Sequence, residues 1–130
     1  MSDALDLARS IYARWERGDF SDASWAAPDI ECVNAFDGVS TRGVAEMAVA
    51  WRDWLAAWEE FSVTADEFVE IRDGVLVLTR FHGSGRTSGL SVDDLPGACH
   101  FDIRDGKVVR IRLYTDRPAA YAEVGLPTGR

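Results

Sequence analysis

Glu67 is the side chain of this 130-residue sequence that is best suited to acid–base chemistry. The segment "EFVEIRDGVLVLTRF" predicts a β-hairpin, and its predicted register places Glu67 on an otherwise apolar face, across from Thr79. A carboxyl group in apolar surroundings has a raised pKa and can act as a general acid or base near neutral pH. The alternative to a catalytic role is a structural one, in which the Glu67 carboxylate lies near a strand end and is solvated or hydrogen-bonded to Thr79.

Asn34 is the second polar candidate. The segment "DIECVNAF" alternates as a β-strand does, with Ile30, Cys32, Asn34 and Phe36 on one face. The amide of Asn34 could orient a substrate carbonyl, and it could equally bond to backbone groups within the core.

The thiols and imidazoles favour structural roles. Cys32 and Cys99 are expected to be reduced, small core residues, because no histidine is predicted beside either thiol. His82 and His100 fall on the outer face of the predicted sheet, where surface or dimer contacts are expected. Two cysteines and two histidines at wide, irregular spacing give no metal signature, so the sequence predicts neither a metal nor a cofactor.

Composition and charge limit the classes of partner. A net charge of −8 argues against nucleic acid and against an anionic membrane surface. No run approaches 18 apolar residues, and the first residues "MSDALDLARS" lack the basic and apolar regions of a signal peptide. The expectation is one cytoplasmic domain that spans residues 1–130, with no nucleic-acid or membrane partner.

The elements that must position these side chains follow from periodicity and turn signals. Apolar residues at helical spacing predict two long helices, and strand-like runs between turn signals predict one strand before the second helix and four after it. The predicted helices cover 3–17, a short stretch around Trp25, 43–59 and a final turn at 118–124. The predicted strands cover 29–36, 62–72, 75–88, 98–104 and 107–116, with a loop at 91–97. The order predicts an α+β fold with its helices on one side of an antiparallel sheet.

The tetrapeptide "IRDG" occurs in both predicted hairpins and sets their register. In the second hairpin, a two-residue Asp105-Gly106 loop would pair Phe101 with Arg110, which mixes charges with apolar groups. A three-residue loop pairs Phe101 with Val109 and makes one face wholly apolar, so we adopt this loop. The same turn in the first hairpin places Glu67 on the inner face and Asp66 opposite Arg80 on the outer face.

The element order, the stretch "WAAPDIE" and the ending "IRDGKVVRIRLYTDRPAAYAEVGL" resemble the SnoaL-like branch of the nuclear transport factor two-like superfamily. The resemblance covers nearly the whole chain. It implies a cone: a strongly curved, mainly antiparallel sheet that wraps around two long N-terminal helices and encloses a hydrophobic pocket. Members of the branch include ketosteroid isomerase, polyketide cyclases, epoxide hydrolases, dehydratases and proteins that only bind, and dimers through the outer sheet face are common in it.

The comparison with ketosteroid isomerase places three positions in the expected pocket. The catalytic tyrosine of that enzyme falls on Ile11, its aspartate base on Asn34 and its protonated aspartate on Cys99. None of these side chains can take over the corresponding role, so isomerase chemistry by the usual residues is excluded. The residues expected to line the pocket and bind a ligand are Ile11, Trp15, Trp25, Cys32, Asn34, Met47, Trp51, Trp54, Leu55, Thr79, Phe81, Cys99, Phe101, Ile111 and Leu113.

The resulting functional hypothesis is a pocketed protein that binds a small apolar or aromatic molecule. If it is an enzyme, cofactor-independent isomerase, cyclase or dehydratase chemistry through Glu67 is expected, with Asn34 orienting the substrate. The alternatives are a non-catalytic ligand-binding protein and a dimeric interaction module whose pocket is packed shut. A homodimer through the outer sheet face is expected because that face should expose apolar groups beside polar ones. These residues are Phe68, Leu76, Leu78, His82, His100, Arg110, Arg112 and Tyr114.

Overall fold

The computed structural model describes residues 3–34, 38–85 and 91–125. The helices are α1 (Asp3–Glu16), α2 (Val44–Ala56) and α3 (Arg117–Val124). The strands are β1 (Ala26–Asn34), β2 (Ser40–Arg42), β3 (Trp58–Ile71), β4 (Gly74–Gly85), β5 (Ser91–Arg104) and β6 (Lys107–Tyr114).

The strands form one open sheet in the order β2-β1-β6-β5-β4-β3. Every neighbouring pair is antiparallel except β1 with β6, which is parallel. The α+β fold class expected from the sequence is therefore confirmed. None of the described helices is long and apolar enough to cross a membrane.

Helix α1 packs on one face of the sheet, here called the inner face, because one side of the helix is apolar. Ala8, Ile11, Tyr12 and Trp15 recur at helical spacing and are all buried against the inner faces of β3 and β4. The helix ends at the expected place, where Gly18 adopts a left-handed conformation with φ of 79° that suits glycine.

The first hairpin closes with a two-residue turn, Arg72-Asp73, so that Ile71 pairs with Gly74. The three-residue turn predicted for this hairpin is therefore wrong. The reason is a close contact across the sheet rather than local turn chemistry. Gly74 lies against β5, and a β-carbon at this position would be 1.8 Å from the carbonyl oxygen of Phe101. The glycine is needed for this approach and not for a left-handed turn.

The second hairpin also closes with two residues, Asp105 and Gly106, and both have positive φ (54° and 76°). This is the conformation of a type I′ turn. The predicted three-residue loop is wrong here too, but Val109 is an extra residue in β6, and this bulge shifts the register by one. Phe101 therefore pairs with Ile111, and the predicted inward orientation of Cys99, Phe101 and Ile111 is correct. The prediction for Val109 is wrong, because Val108 is buried in the core instead.

The first hairpin has no bulge close to its turn, so the faces of β3 between Glu67 and Ile71 are the reverse of those predicted, whereas those of β4 are as predicted. Phe68 pairs with Val77 on the inner face, and its ring lies 6.1 Å from that of Tyr12. Glu67 pairs with Leu78 and is exposed on the outer face. The prediction that Glu67 faces the interior is thus wrong. A bulge at Asp66 follows further along β3, and the predicted ion pair between Asp66 and Arg80 is present at 2.8 Å.

Helix α3 covers part of the outer sheet face. Leu76 and Leu78 project outward as predicted, but they are buried beneath Ala120 and Tyr121 rather than exposed. The prediction that all helices lie on one side of the sheet is wrong, since α3 packs on the face opposite to α1. Exposed leucines are consequently not available for a dimer interface on this face.

Other local predictions also need correction. Trp25 lies in a turn before β1 and not in a short helix, and its indole N–H donates to the carbonyl oxygen of Asp22 at 2.8 Å. Residues 91–97, predicted as a loop, form the first half of β5. Helix α2 ends at Ala56, earlier than predicted, because β3 begins at Trp58. The predicted strand ends at 35–36 and 86–88 lie outside the described residues.

Candidate ligand-binding site

A small aromatic cavity lies between α1, α2 and the inner face of the sheet. Its volume is about 50 Å³. This is larger than the roughly 10–15 Å³ that a single water molecule needs, and smaller than typical pockets for drug-sized ligands. The residues that line it are Tyr12, Trp15, Phe20, Asn34, Trp51, Trp54, Leu55, Phe61, Val63, Phe81 and Leu113.

The cavity has a buried floor and a half-exposed rim. The floor consists of Tyr12, Trp15, Val63 and Phe81, each of which is buried. The other lining residues are partly exposed, so the rim faces solvent between α2 and the strands. A ligand larger than the cavity therefore requires side-chain movement at the rim.

Edge-on and stacked aromatic contacts hold the walls together. The ring of Trp15 lies 5.1 Å from that of Trp51 at an interplanar angle of 77°, and it stacks on Phe20 at 5.9 Å. On the opposite wall, Phe61 contacts Trp54 at 5.7 Å and Phe81 at 6.2 Å. Such contacts favour a defined, flat-sided space and suit a planar molecule.

The polar atoms at this cavity are few. None of the described residues that line it carries a charge, and Asn34 and Tyr12 contribute an amide and a hydroxyl. The Tyr12 hydroxyl is buried and has no hydrogen-bond partner among the described residues. Burial raises the pKa of Tyr12 well above its ordinary value of 10.0, and the neighbouring Cys99 and Glu16 raise it further. Tyr12 is thus a neutral donor at physiological pH.

Cys99 lies beside Tyr12 in the core and does not line the cavity. Burial raises the pKa of the Cys99 thiol above its ordinary value of 9.0, and the contact with Tyr12 only partly opposes this effect. A buried, protonated thiol is a poor nucleophile.

The structure brings part of the predicted set of lining residues to the cavity. Those on its walls are Trp15, Asn34, Trp51, Trp54, Leu55, Phe81 and Leu113. The remainder are buried in the surrounding core without lining the cavity: Ile11, Trp25, Cys32, Met47, Thr79, Cys99, Phe101 and Ile111. Glu67 is on the other face of the sheet, so the pair of Glu67 and Asn34 is not brought together.

Four lining residues were missed by the sequence analysis. Tyr12 belongs to the apolar stripe of α1, so helical periodicity could have identified it beside Ile11. Phe61 and Val63 lie in β3, whose true register places Val63 opposite Phe81. Phe20 follows α1 in irregular structure, where no periodic signal exists.

One group of potential metal ligands lies away from the cavity. His82 and the bulged residues Asp93 and Asp94 each offer one ligand atom within 4.8 Å of the others. The imidazole Nδ1 is 3.2 Å from a carboxylate oxygen of Asp93, and Nε2 is 3.5 Å from one of Asp94. Both carboxylates are exposed, and the same contacts describe a surface ion-pair cluster, so the geometry does not require a metal.

Comparison with solved structures supports the fold. An NTF2-like protein of unknown function from Burkholderia pseudomallei K96243 superimposes with a TM-score of 0.78 at 20% identity, over 95% of this chain and 98% of that chain. TerC co-crystallised with polyporic acid gives 0.75 at 22% identity, over 95% and 98%. A Catenulispora acidiphila DSM 44928 protein with a ketosteroid isomerase-like fold, in complex with trimethylamine, gives 0.72 at 17% identity, over 94% of each chain.

No curated protein matches this chain. The family model of the SnoaL-like domain matches residues 8–111, which run from the middle of α1 to the middle of β6 and include every described residue that lines the cavity except Leu113. The chain therefore belongs to the SnoaL-like domain family.

Proposed function

We propose that this protein binds a small, flat, apolar or aromatic molecule in the cavity between α1, α2 and the sheet. The observation that carries the proposal is the aromatic lining, which contains no charged side chain in the part of the chain that the structure describes. Sites for small apolar ligands combine such walls with a few convergent polar groups. Small molecules bound to structural relatives, polyporic acid and trimethylamine, agree with a binding role.

A binding role without proton-transfer chemistry is favoured over an enzymatic one. General acid–base catalysis needs a titratable group within hydrogen-bond reach of the substrate. No carboxylate or imidazole lines the cavity among the described residues, and Glu67 lies on the opposite sheet face. The cyclase, isomerase or dehydratase hypothesis therefore lacks a base among the described residues of the cavity.

The test is a titration with planar hydrocarbons of increasing size, such as benzene, toluene and naphthalene, followed by tryptophan fluorescence and ligand-observed NMR. Trp15, Trp51 and Trp54 line the cavity, so saturable quenching is expected. The variant Leu113→Phe should fill the cavity and abolish binding. Ile103→Phe is a matched control, because Ile103 is partly buried against the same core but does not line the cavity. Absence of saturable binding to wild type would exclude the proposed function.

A homodimeric interaction module is the second candidate. Its support is the outer sheet face beside α3. His100, Arg112 and Tyr114 are partly exposed there and form a mixed polar and aromatic surface that a two-fold interface could cover. A monomeric mass by light scattering at micromolar concentration would contradict the dimer, and Arg112→Glu should dissociate it.

A further inference from the structure

Aromatic rings form most of the wall of the cavity between α1, α2 and the sheet. More than half of the described residues that line it are tryptophan, phenylalanine or tyrosine. An aromatic ring carries partial negative charge on both of its faces and partial positive charge at its edge. Several ring faces that converge on one space therefore attract a cation, and the attraction grows when that space excludes water.

The angles between the rings decide how many faces one ligand group can touch. Trp51 stands at 77° to Trp15, with centroids 5.1 Å apart, and at 89° to Phe20 at 6.3 Å. On the opposite wall, Trp54 and Phe61 stand at 84° with centroids 5.7 Å apart. In such an edge-to-face pair, the corner beside the edge-on ring lies against one face of each ring. A compact cation in either corner would thus contact two ring faces.

The charges around the cavity also favour a cation. No described residue that lines it is positively charged, so nothing on those walls repels a cation. Burial raises the pKa of Tyr12, followed by the effects of Cys99 and of the charge of Glu16, which means that the negative charge of Glu16 acts at the floor of the cavity. The net charge of −8 on the whole chain attracts cationic molecules from solution.

The scarcity of polar groups limits the kind of cation. A primary ammonium group has three N–H donors, which need acceptors once the group leaves water. The described lining offers only the Asn34 amide and the Tyr12 hydroxyl as polar side-chain groups. A quaternary ammonium group has no N–H, and its methyl groups present the charge to ring faces without unpaired donors.

We propose that the ligand carries a methylated, quaternary ammonium group that lies against the ring faces of this cavity, so that the site selects a cation over a neutral hydrocarbon of the same shape. This inference rests on the proposed binding function and adds a charged group to the small aromatic molecule. Trp51 is the specificity-determining residue, because it forms a corner with both Trp15 and Phe20.

The experiment compares phenyltrimethylammonium with tert-butylbenzene, two molecules of the same shape that differ in a positively charged nitrogen against a carbon. Their dissociation constants are measured by ligand-observed NMR on the wild-type protein. Contact with two ring faces should make the cation bind at least about fivefold more tightly than the hydrocarbon. The measurement is repeated in about 0.5 M sodium chloride, which screens the attraction of the overall charge but leaves most of a water-excluded contact.

The variant Trp51→Leu removes ring faces and keeps an apolar side chain. It should lower the ratio of the two dissociation constants by about threefold or more, whereas Trp51→Phe, which keeps a ring, should retain most of the selectivity. Phe68→Leu is the matched control, because Phe68 packs against the same core without lining the cavity. The guanidinium group of Arg9 already lies over the Phe68 ring, 5.7 Å from its centroid, and this variant should leave the ratio unchanged.

The outcomes separate the inference from the binding function. If tert-butylbenzene binds as tightly as phenyltrimethylammonium or more tightly, the inference is wrong and the binding function stands. A preference for the cation that Trp51→Leu leaves unchanged, or that salt abolishes, would arise from the overall negative charge and would also overturn the inference. If wild type binds neither probe, nor the hydrocarbons above, the binding function fails and the inference fails with it.

Discussion

Gly74 lies directly against the backbone of Phe101, so closely that a β-carbon on residue 74 would be 1.8 Å from the Phe101 carbonyl oxygen. This contact fixes the start of β4 against β5 and sets the register of the first hairpin. Gly106 is the fourth residue of the same tetrapeptide in the second hairpin. A β-carbon there would meet nothing within 4 Å, but its φ is 76°. The same tetrapeptide thus needs its glycine for two different reasons. Gly74 allows a close contact between strands, and Gly106 allows a left-handed backbone conformation in a turn.

Gly74→Ala should therefore destabilise the protein far more than Gly106→Ala. The first variant must move one strand away from another, and we expect a loss above about 3 kcal/mol in the free energy of unfolding. The second variant places an L-residue in the left-handed region, which costs about 1–2 kcal/mol. Urea denaturation of both variants measures the difference. Equal losses would show that the contact with Phe101 is not limiting.

The same contact explains why the sequence predicts the faces of β3 near its turn wrongly and the inward residues Cys99 and Phe101 of the second hairpin correctly. Turn preferences depend only on the residues within the turn. The space available at Gly74 is limited instead by the backbone of Phe101, about 27 residues away in sequence. In the second hairpin, the bulge at Val109 restores the parity that a three-residue loop would have given. The inward orientation of Cys99 and Phe101 was thus predicted correctly from an incorrect turn.

The periodic parts of the site were more predictable than its acid–base chemistry. Trp51 and Trp54 were found because helical spacing depends only on local sequence. Glu67 was misplaced because a slip of one residue reverses every side chain of a strand. The buried hydroxyl of Tyr12 could not be identified as unpaired from sequence, since pairing depends on neighbours from other elements.

Asp66 should make stability dependent on acid pH. Burial opposes ionisation, but a hydrogen bond from Arg117 and the charge of Arg80 outweigh it and lower the pKa of Asp66 below 3.8. A lowered folded-state pKa stabilises the fold above the unfolded-state pKa, and this contribution is lost as pH falls through the folded-state pKa. Asp66→Asn should thus lower the melting temperature at pH 7 and have a smaller effect at pH 3. The carboxylate is partly exposed, so added salt should reduce the effect.

The matched double-mutant cycle uses Arg117→Met. Arg117 bonds to Asp66 at 3.0 Å and also to the backbone oxygens of Gly97 and Thr79. The single variant should therefore be less stable than Asp66→Asn at both pH values. Additive losses in the double variant would show that the two side chains do not interact.

The two cysteines should resist modification in the native protein. Neither cysteine forms a disulfide and both are buried, and burial raises the pKa of Cys99, so little Cys99 thiolate forms near neutral pH. Reaction with Ellman's reagent at pH 8 should be slow and should reach two thiols per chain only in denaturant. The variant Cys99→Ala reports Cys32 alone. Rapid reaction of either thiol in the absence of denaturant would contradict the buried placement.

Replacing Glu67 should affect stability less than replacing Glu16. A buried catalytic Glu67, as predicted from the sequence, would give the reverse order. Glu67 is exposed on the outer face, so Glu67→Ala should change the free energy of unfolding by no more than about 0.5 kcal/mol. Glu16 accepts the backbone N–H of Ala65 at 2.9 Å, next to the bulge of β3. Glu16→Ala removes this acceptor and should cost about 1 kcal/mol. Both values follow from urea denaturation at pH 7, with Glu60→Ala in the same strand as an exposed control. A loss for Glu67→Ala as large as that for Glu16→Ala, or weaker binding of a planar hydrocarbon by Glu67→Ala, would place Glu67 on the inner face and overturn the register described for β3.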